Sequence, residues 1–211
     1  MRWLLVLLAL LPLLEGRAQE PEGASAPVVR IVTTDFVLPA KFQRMSEWAA
    51  AAGYRLEWRD AETPGSADVA TGASLLVFDG PRPIDRAAIE QAVGPFDQLD
   101  TVPWILVGGG PPAFRNLPPE AARTLIGYYA NGGAANLKAF VAAIPRVLAR
   151  DSLAELPPPQ ALPATGLYHP QADRLFASPQ AYQAWIEARG GTGRPVVAVA
   201  IPSGAIGDMQ T

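Results

Sequence analysis

Two periodicities alternate along the chain: short runs of β-branched and aliphatic residues, and longer stretches with apolar residues three and four positions apart. Val28-Val29-Arg30-Ile31-Val32-Thr33-Thr34 is the first such run, broken by Asp35-Phe36-Val37-Leu38-Pro39, and it reads as a strand and its loop. Residues 41–52 carry Phe42, Met45, Trp48 and Ala49 at helical spacing, and Gly53 stops them. Residues 54–58 alternate as a second strand, 63–66 form a turn, and 67–71 read as a short helix. Ala73-Ser74-Leu75-Leu76-Val77-Phe78 is a continuous apolar run of the kind buried on both faces in a parallel sheet, ending at Asp79. Residues 83–93 form a helix with Pro83 at its start and Gly94-Pro95 past its end. A fourth strand spans 102–107, Gly108-Gly109-Gly110-Pro111-Pro112 turns the chain, and a helix runs from 118 to about 130. Gly132 and Gly133 suit a left-handed cap and a tight turn before the last long helix, 135–150. Strands alternating with helices imply a parallel sheet with right-handed crossovers, hence a doubly wound, flavodoxin-like α/β domain over residues 27–150.

Beyond Arg150 the pattern changes. Residues 151–164 hold Pro-Pro-Pro and Leu-Pro, a stiff, extended Pro-rich linker that marks a domain boundary. Gly166-Leu167-Tyr168-His169-Pro170 is a compact turn, and 179–189 is a helix with Tyr182, Trp185 and Ile186 on one face. After Gly190-Gly191-Thr192-Gly193 comes the apolar strand 194–201. A buried parallel strand needs neighbours and a covering helix, so residues 165–211 read as the truncated start of a second α/β domain, and the chain as the front of a longer protein.

The N-terminus stands outside this pattern. Arg2 gives a positive start and residues 3–14 are apolar apart from Pro12, the form of a secretory signal peptide over residues 1–18. The run is shorter than the roughly 20 residues a spanning helix needs. Cleavage can follow Ala18 or Ala26, and length favours Ala18. Its removal takes away Arg2, Arg17 and Glu15 and makes a chain of formal charge −3 one unit more negative. Without a basic stripe, nucleic acid is not the expected partner. The absence of cysteine excludes disulfides and thiolate chemistry. An exported, disulfide-free domain fits a bacterial periplasm.

Candidate chemistry is sparse. Ligands of doubly wound sheets bind beyond the carboxyl ends of the strands, which singles out Asp35 and Asp79, although turn capping explains either carboxylate. A receiver-like phosphoacceptor site at these aspartates conflicts with export. The Gly108–Gly110 run lacks GxGxxG, and Pro111-Pro112 remove backbone donors a phosphate loop would present; no Walker spacing occurs at Gly133, so no nucleotide site is expected. His169 is the single histidine, a poor metal site alone, and Ser203 lacks a second histidine to activate it. No protein-held metal is expected. Tyr128, Asn131 and Asn136 flank the paired glycines and are candidates for contact with a ligand or a partner domain.

Three segments together resemble the N-terminal part of the cobaltochelatase CobN and magnesium chelatase H-subunit family. They are Tyr128-Tyr129-x-x-Gly132-Gly133-x-x-Asn136-Leu137, then Gly166-Leu167-Tyr168-His169-Pro170 with Phe176 and Tyr182, then Arg194-Pro195-Val196-Val197. In this motif Gly132, Gly133 and Pro170 are structural. The opening Thr33-to-Pro39 loop and the Gly108-to-Pro112 run look like an exported subgroup of that family. The resemblance implies a large protein that holds a corrinoid such as cobalamin, or a porphyrin, and handles its central cobalt, magnesium or iron. It implies as partners the remaining domains of a longer chain, and outer-membrane uptake proteins or chelatase subunits. The signal peptide separates this chain from cytosolic ATP and motor subunits, so binding, delivery or metal removal is the expected role. The family's catalytic regions lie outside these residues, so no catalytic residue is carried over and this fragment alone is not expected to be catalytic. The contrasting reading is a stand-alone periplasmic flavodoxin-like binding module without chelatase activity.

Overall fold

All six residues of β1 (Val28–Thr33) are buried, because the strand lies inside the sheet with structure over both faces. The computed structural model describes residues 26–63, 68–161, 165–169, 171, 172, 175–191 and 193; the signal peptide, Pro170 and the strand read at 194–201 lie outside them. β1 pairs in parallel with β2 (Arg55–Asp60) on one side and β3 (Leu75–Asp79) on the other. β3 pairs in parallel with β4 (Trp104–Val107), and β5 (Ala113–Arg115) closes the edge antiparallel to β4. The order β2-β1-β3-β4-β5 is that of a doubly wound sheet. β5 has no counterpart in the sequence reading, which passed from the Gly-Pro turn directly to the helix at 118, because three residues are too few to show a period.

The pleat sends alternate side chains to two cores. Val29, Ile31, Leu75, Val77 and Ile105 meet Phe42 and Met45 of α1 (Pro39–Ala51), Leu125 of α3 (Pro119–Asn131), and Leu137, Phe140 and Ile144 of α4 (Gly133–Ala149). Val32, Leu76, Phe78 and Leu106 meet Ile89 of α2 (Pro83–Val93) and Phe96 on the opposite face. Helices leaving β1 and β3 therefore lie on opposite sides, which is what doubly wound means.

Arg30 is the charged residue of β1, and its burial is compensated in full view of three partners. Its guanidinium bonds the Glu57 carboxylate at 3.0 Å and donates from Nη1 to the carbonyls of Val69 and, at 3.1 Å, Thr71. Those carbonyls serve the arginine instead of a helix. Residues 68–71 are consequently irregular chain with a bend at Ala70 and a turn at Thr71, not the short helix expected there.

Pro145 sits inside α4, where it cannot donate to the carbonyl of Val141 one turn earlier. The Tyr54 hydroxyl takes over that role, donating to the Val141 oxygen at 3.3 Å. Tyr54 follows Gly53, whose φ of +86° ends the α1 turn and aims the next residue into the core. Burial pushes its phenol well above the usual range.

Candidate functional site

The crevice of a doubly wound sheet opens where neighbouring strands send their chains to opposite faces, here beyond Thr33 and Asp79. In this protein its own side chains lace that crevice shut. Thr33 Oγ1 donates to the Asp79 carbonyl at 3.0 Å, and Thr34 Oγ1 to Asp85 Oδ1 at 3.1 Å. Asp79 Oδ2 accepts from Lys41 Nζ at 3.2 Å and from the Tyr129 hydroxyl at 2.7 Å. The Lys41 ammonium also lies 4.4 Å from the centre of the Tyr129 ring, so one cation is held by a carboxylate and a π face together. Asp79 is therefore no turn cap, as the sequence allowed, but the anionic centre of a buried cluster joining β3, α1 and α3.

A second carboxylate anchors the start of α2. Asp85 is buried and accepts from the Arg82 backbone N–H at 2.9 Å and from its guanidinium at 2.6 Å. Those hydrogen bonds hold its carboxyl below the usual carboxylate range. Arg82 in turn lies 3.9 Å from the ring centre of exposed Phe36. Asp35, one residue earlier, is exposed on the same loop and does not join the Asp79 cluster. Across the crevice, Gly108 and Gly109 have φ of +78° and +64°, and a Cβ on either would fall 2.6 to 2.7 Å from the backbone oxygens of Gly80 or Arg82. The Gly109 amide donates to Pro81 O at 3.3 Å, so the glycine run packs on the β3–α2 loop.

The α3–α4 corner is the second place where predicted residues converge. Gly132 alone separates the helices, with φ 63° and ψ −165°, a conformation essentially restricted to glycine, and Gly133 follows with φ of +74°. Positive φ at both positions is as the sequence required, although Gly132 is not in the left-handed helical region. Tyr128 is 1% exposed, and its hydroxyl donates to Pro157 O at 2.5 Å. Asn136 reads both backbone groups of Gln160: Nδ2 donates to its carbonyl at 2.7 Å, and Oδ1 accepts from its N–H at 2.9 Å. Asn131 instead donates back to Gly127 O at 2.7 Å within its own helix. Leu153 and Leu156 pack against the core beside these contacts. The Pro-rich segment through Gln160 thus lies strapped along the corner.

His169 belongs to a third group. Leu167 and Phe176 form a two-bond antiparallel bridge, and α5 (Pro179–Glu187) follows, with Ser178 Oγ accepting from Ala181 N–H at 3.2 Å as its cap. The His169 ring centre lies 5.0 Å from that of Trp185 and 6.2 Å from that of Tyr182, and Arg189 lies 4.6 Å from the centre of the Trp185 ring. His169 Nδ1 accepts the Gln171 N–H at 3.1 Å, so the neutral ring carries its proton on Nε2. All these rings except Phe176 are half-exposed.

The six candidates therefore fall in separate places: Asp79 in the crevice, Asp35 on its rim, Tyr128, Asn131 and Asn136 at the corner, His169 in the ring cluster. Lys41, Tyr129, Thr34 and Asp85 escaped sequence reading because each sits in an ordinary amphipathic or turn context. Among the described residues no group of three or more His, Asp or Glu could hold a metal ion.

Residues 126–211 match the family model CobN/Magnesium Chelatase, the family that the three segments resemble. The match takes in the corner, the strap and the ring cluster. A solved structure, the catalytic subunit of cobaltochelatase from Mycobacterium tuberculosis, is similar at 21% identity and a TM-score of 0.42, covering 71% of this chain. The chain spans 12% of that subunit's length. Comparison with curated proteins gives no match.

Proposed function

We propose that this chain is the front region of an exported, periplasmic CobN-like protein that binds a tetrapyrrole, a corrinoid or porphyrin, and takes part in inserting or removing its central metal. The observation that carries this reading is the CobN/Magnesium Chelatase match over residues 126–211. The ring cluster inside that match adds chemical support. Half-exposed Tyr182 and Trp185 offer flat apolar faces of the kind a conjugated macrocycle stacks on, and Arg189 stands beside them as a cation for a peripheral carboxylate. His169 is better suited to pack or donate than to ligate, since coordination through Nε2 would move its proton to Nδ1 and sacrifice the Gln171 bond. The apolar N-terminal run supports export.

Absorbance titration of the mature full-length protein with cobalamin, haem and metal-free porphyrin tests the reading. A shifted band with at least one macrocycle is expected, weakened by Trp185→Ala. No spectral change with any of the three would sink it. Cell fractionation with N-terminal sequencing tests export, with cleavage expected after Ala18 or Ala26.

A further inference from the structure

The residues that looked available for a ligand, Tyr128 and Asn136, are engaged by the chain's own segment Leu156-Pro157-Pro158-Pro159-Gln160. We propose that the α3–α4 corner is a peptide-recognition groove for an extended proline-rich segment, filled in cis by residues 156–160. The contact has the features of such recognition. Extended Pro-rich chain is presented with little conformational entropy left to lose, and its carbonyls are free to accept. Tyr128 takes the Pro157 carbonyl and Asn136 takes both backbone groups of Gln160, so the readout is of backbone. Leu156 supplies an apolar anchor against the core.

Gly127 gives the strongest evidence that the groove is shaped for this occupant. A glycine inside a helix is unfavourable against alanine by about 1 kcal/mol. Here a Cβ would fall 2.9 Å from Pro159 Cγ and 3.1 Å from its Cβ. The helix forgoes its own preference so that the proline ring can lie on it. Pro157 and Gln160 remain exposed although bonded, so the segment is held at a few points, with Leu156 as its apolar contact with the core. This inference does not depend on tetrapyrrole binding.

Hydrogen exchange on the full chain tests it. The Gln160 amide should exchange at least tenfold more slowly than in a free peptide of residues 153–161. In Gly127→Ala that protection should be lost while amides of α3 keep or increase theirs. Gln160 exchange at the free-peptide rate in the parent, or unchanged protection in Gly127→Ala, overturns the proposal. A second arm uses Leu156→Asp combined with Pro159→Gly, which weakens the occupant and leaves the groove. Titrated with the 153–161 peptide, this chain should bind at least tenfold more tightly than the parent, with shifts at Tyr128 and Asn136. Equal binding, or no shifts there, also overturns it.

Discussion

Tyr54 and Pro145 lie 91 positions apart in the chain and meet at a single carbonyl, which makes their coupling measurable. Val141 is 2% exposed and Tyr54 3%, so the Val141 oxygen has no recourse to bulk water. Pro145 denies it the usual helical donor, and the Tyr54 hydroxyl at 3.3 Å replaces it. Tyr54→Phe removes the donor and keeps the ring, leaving a buried acceptor unsatisfied at a cost of about 1–3 kcal/mol. Pro145→Ala restores a backbone N–H one turn after Val141. In that background Tyr54→Phe should cost about 1 kcal/mol less than in the parent. Urea denaturation of the four chains of this cycle gives the coupling directly. Additivity within about 0.5 kcal/mol would refute the reasoning.

The same hydroxyl has a pH signature. Burial raises its folded pKa, so its contribution is complete below the unfolded phenol value near 10 and is lost as pH rises above it. Over the first unit or so past that value, the parent should lose roughly 1.4 kcal/mol per pH unit that Tyr54→Phe does not lose.

Asp79→Asn strips Lys41 of its buried counter-charge and should cost about 3 kcal/mol, whereas Asp79→Leu with Lys41→Met should recover much of it; a melting temperature indifferent to Asp79→Asn would contradict an architectural role. Gly132→Ala forces a side chain into a glycine-only conformation, and a loss of about 1–3 kcal/mol by thermal melting is expected. For Asp85, the Arg82 hydrogen bond lowers the folded pKa, so its contribution is present above the unfolded value near 3.9 and disappears as pH falls through the folded one. The gap in melting temperature between parent and Asp85→Asn should therefore be widest near neutrality and shrink towards pH 3.

Period and punctuation carry the core elements of the first domain. The run at β3 is apolar at every position and is buried at every position, and Gly53, Gly94 and Gly132 end helices at the places they mark in the sequence. What could not be read is long-range chemistry. Arg30 interrupts a β-branched strand without any local sign that Glu57 and two carbonyls await it, and its pull on Val69 and Thr71 is what undid the expected short helix. Lys41 and Tyr129 look like surface and core residues of their own helices, yet they converge on Asp79 from positions 38 and 50 residues away. That Pro157 and Gln160 are fastened to Tyr128 and Asn136 was not legible, because backbone groups leave no trace in side-chain pattern.

The closed crevice bears on where a ligand of this chain can sit. To enter beyond Thr33 and Asp79, a molecule would have to part Lys41 from Asp79, and breaking a buried pair on one side costs about 3–5 kcal/mol. It would also have to displace the Thr33 and Thr34 bonds and push aside a glycine run already in contact with the β3–α2 backbone. Entry is thus opposed by several kcal/mol before any contact is gained. The ring cluster asks for no such rupture: Tyr182, Trp185 and His169 are half-exposed, and stacking there would add to existing packing. The sheet edge that serves many doubly wound proteins as a binding site serves here to lock β1, β3, α1 and α3 together.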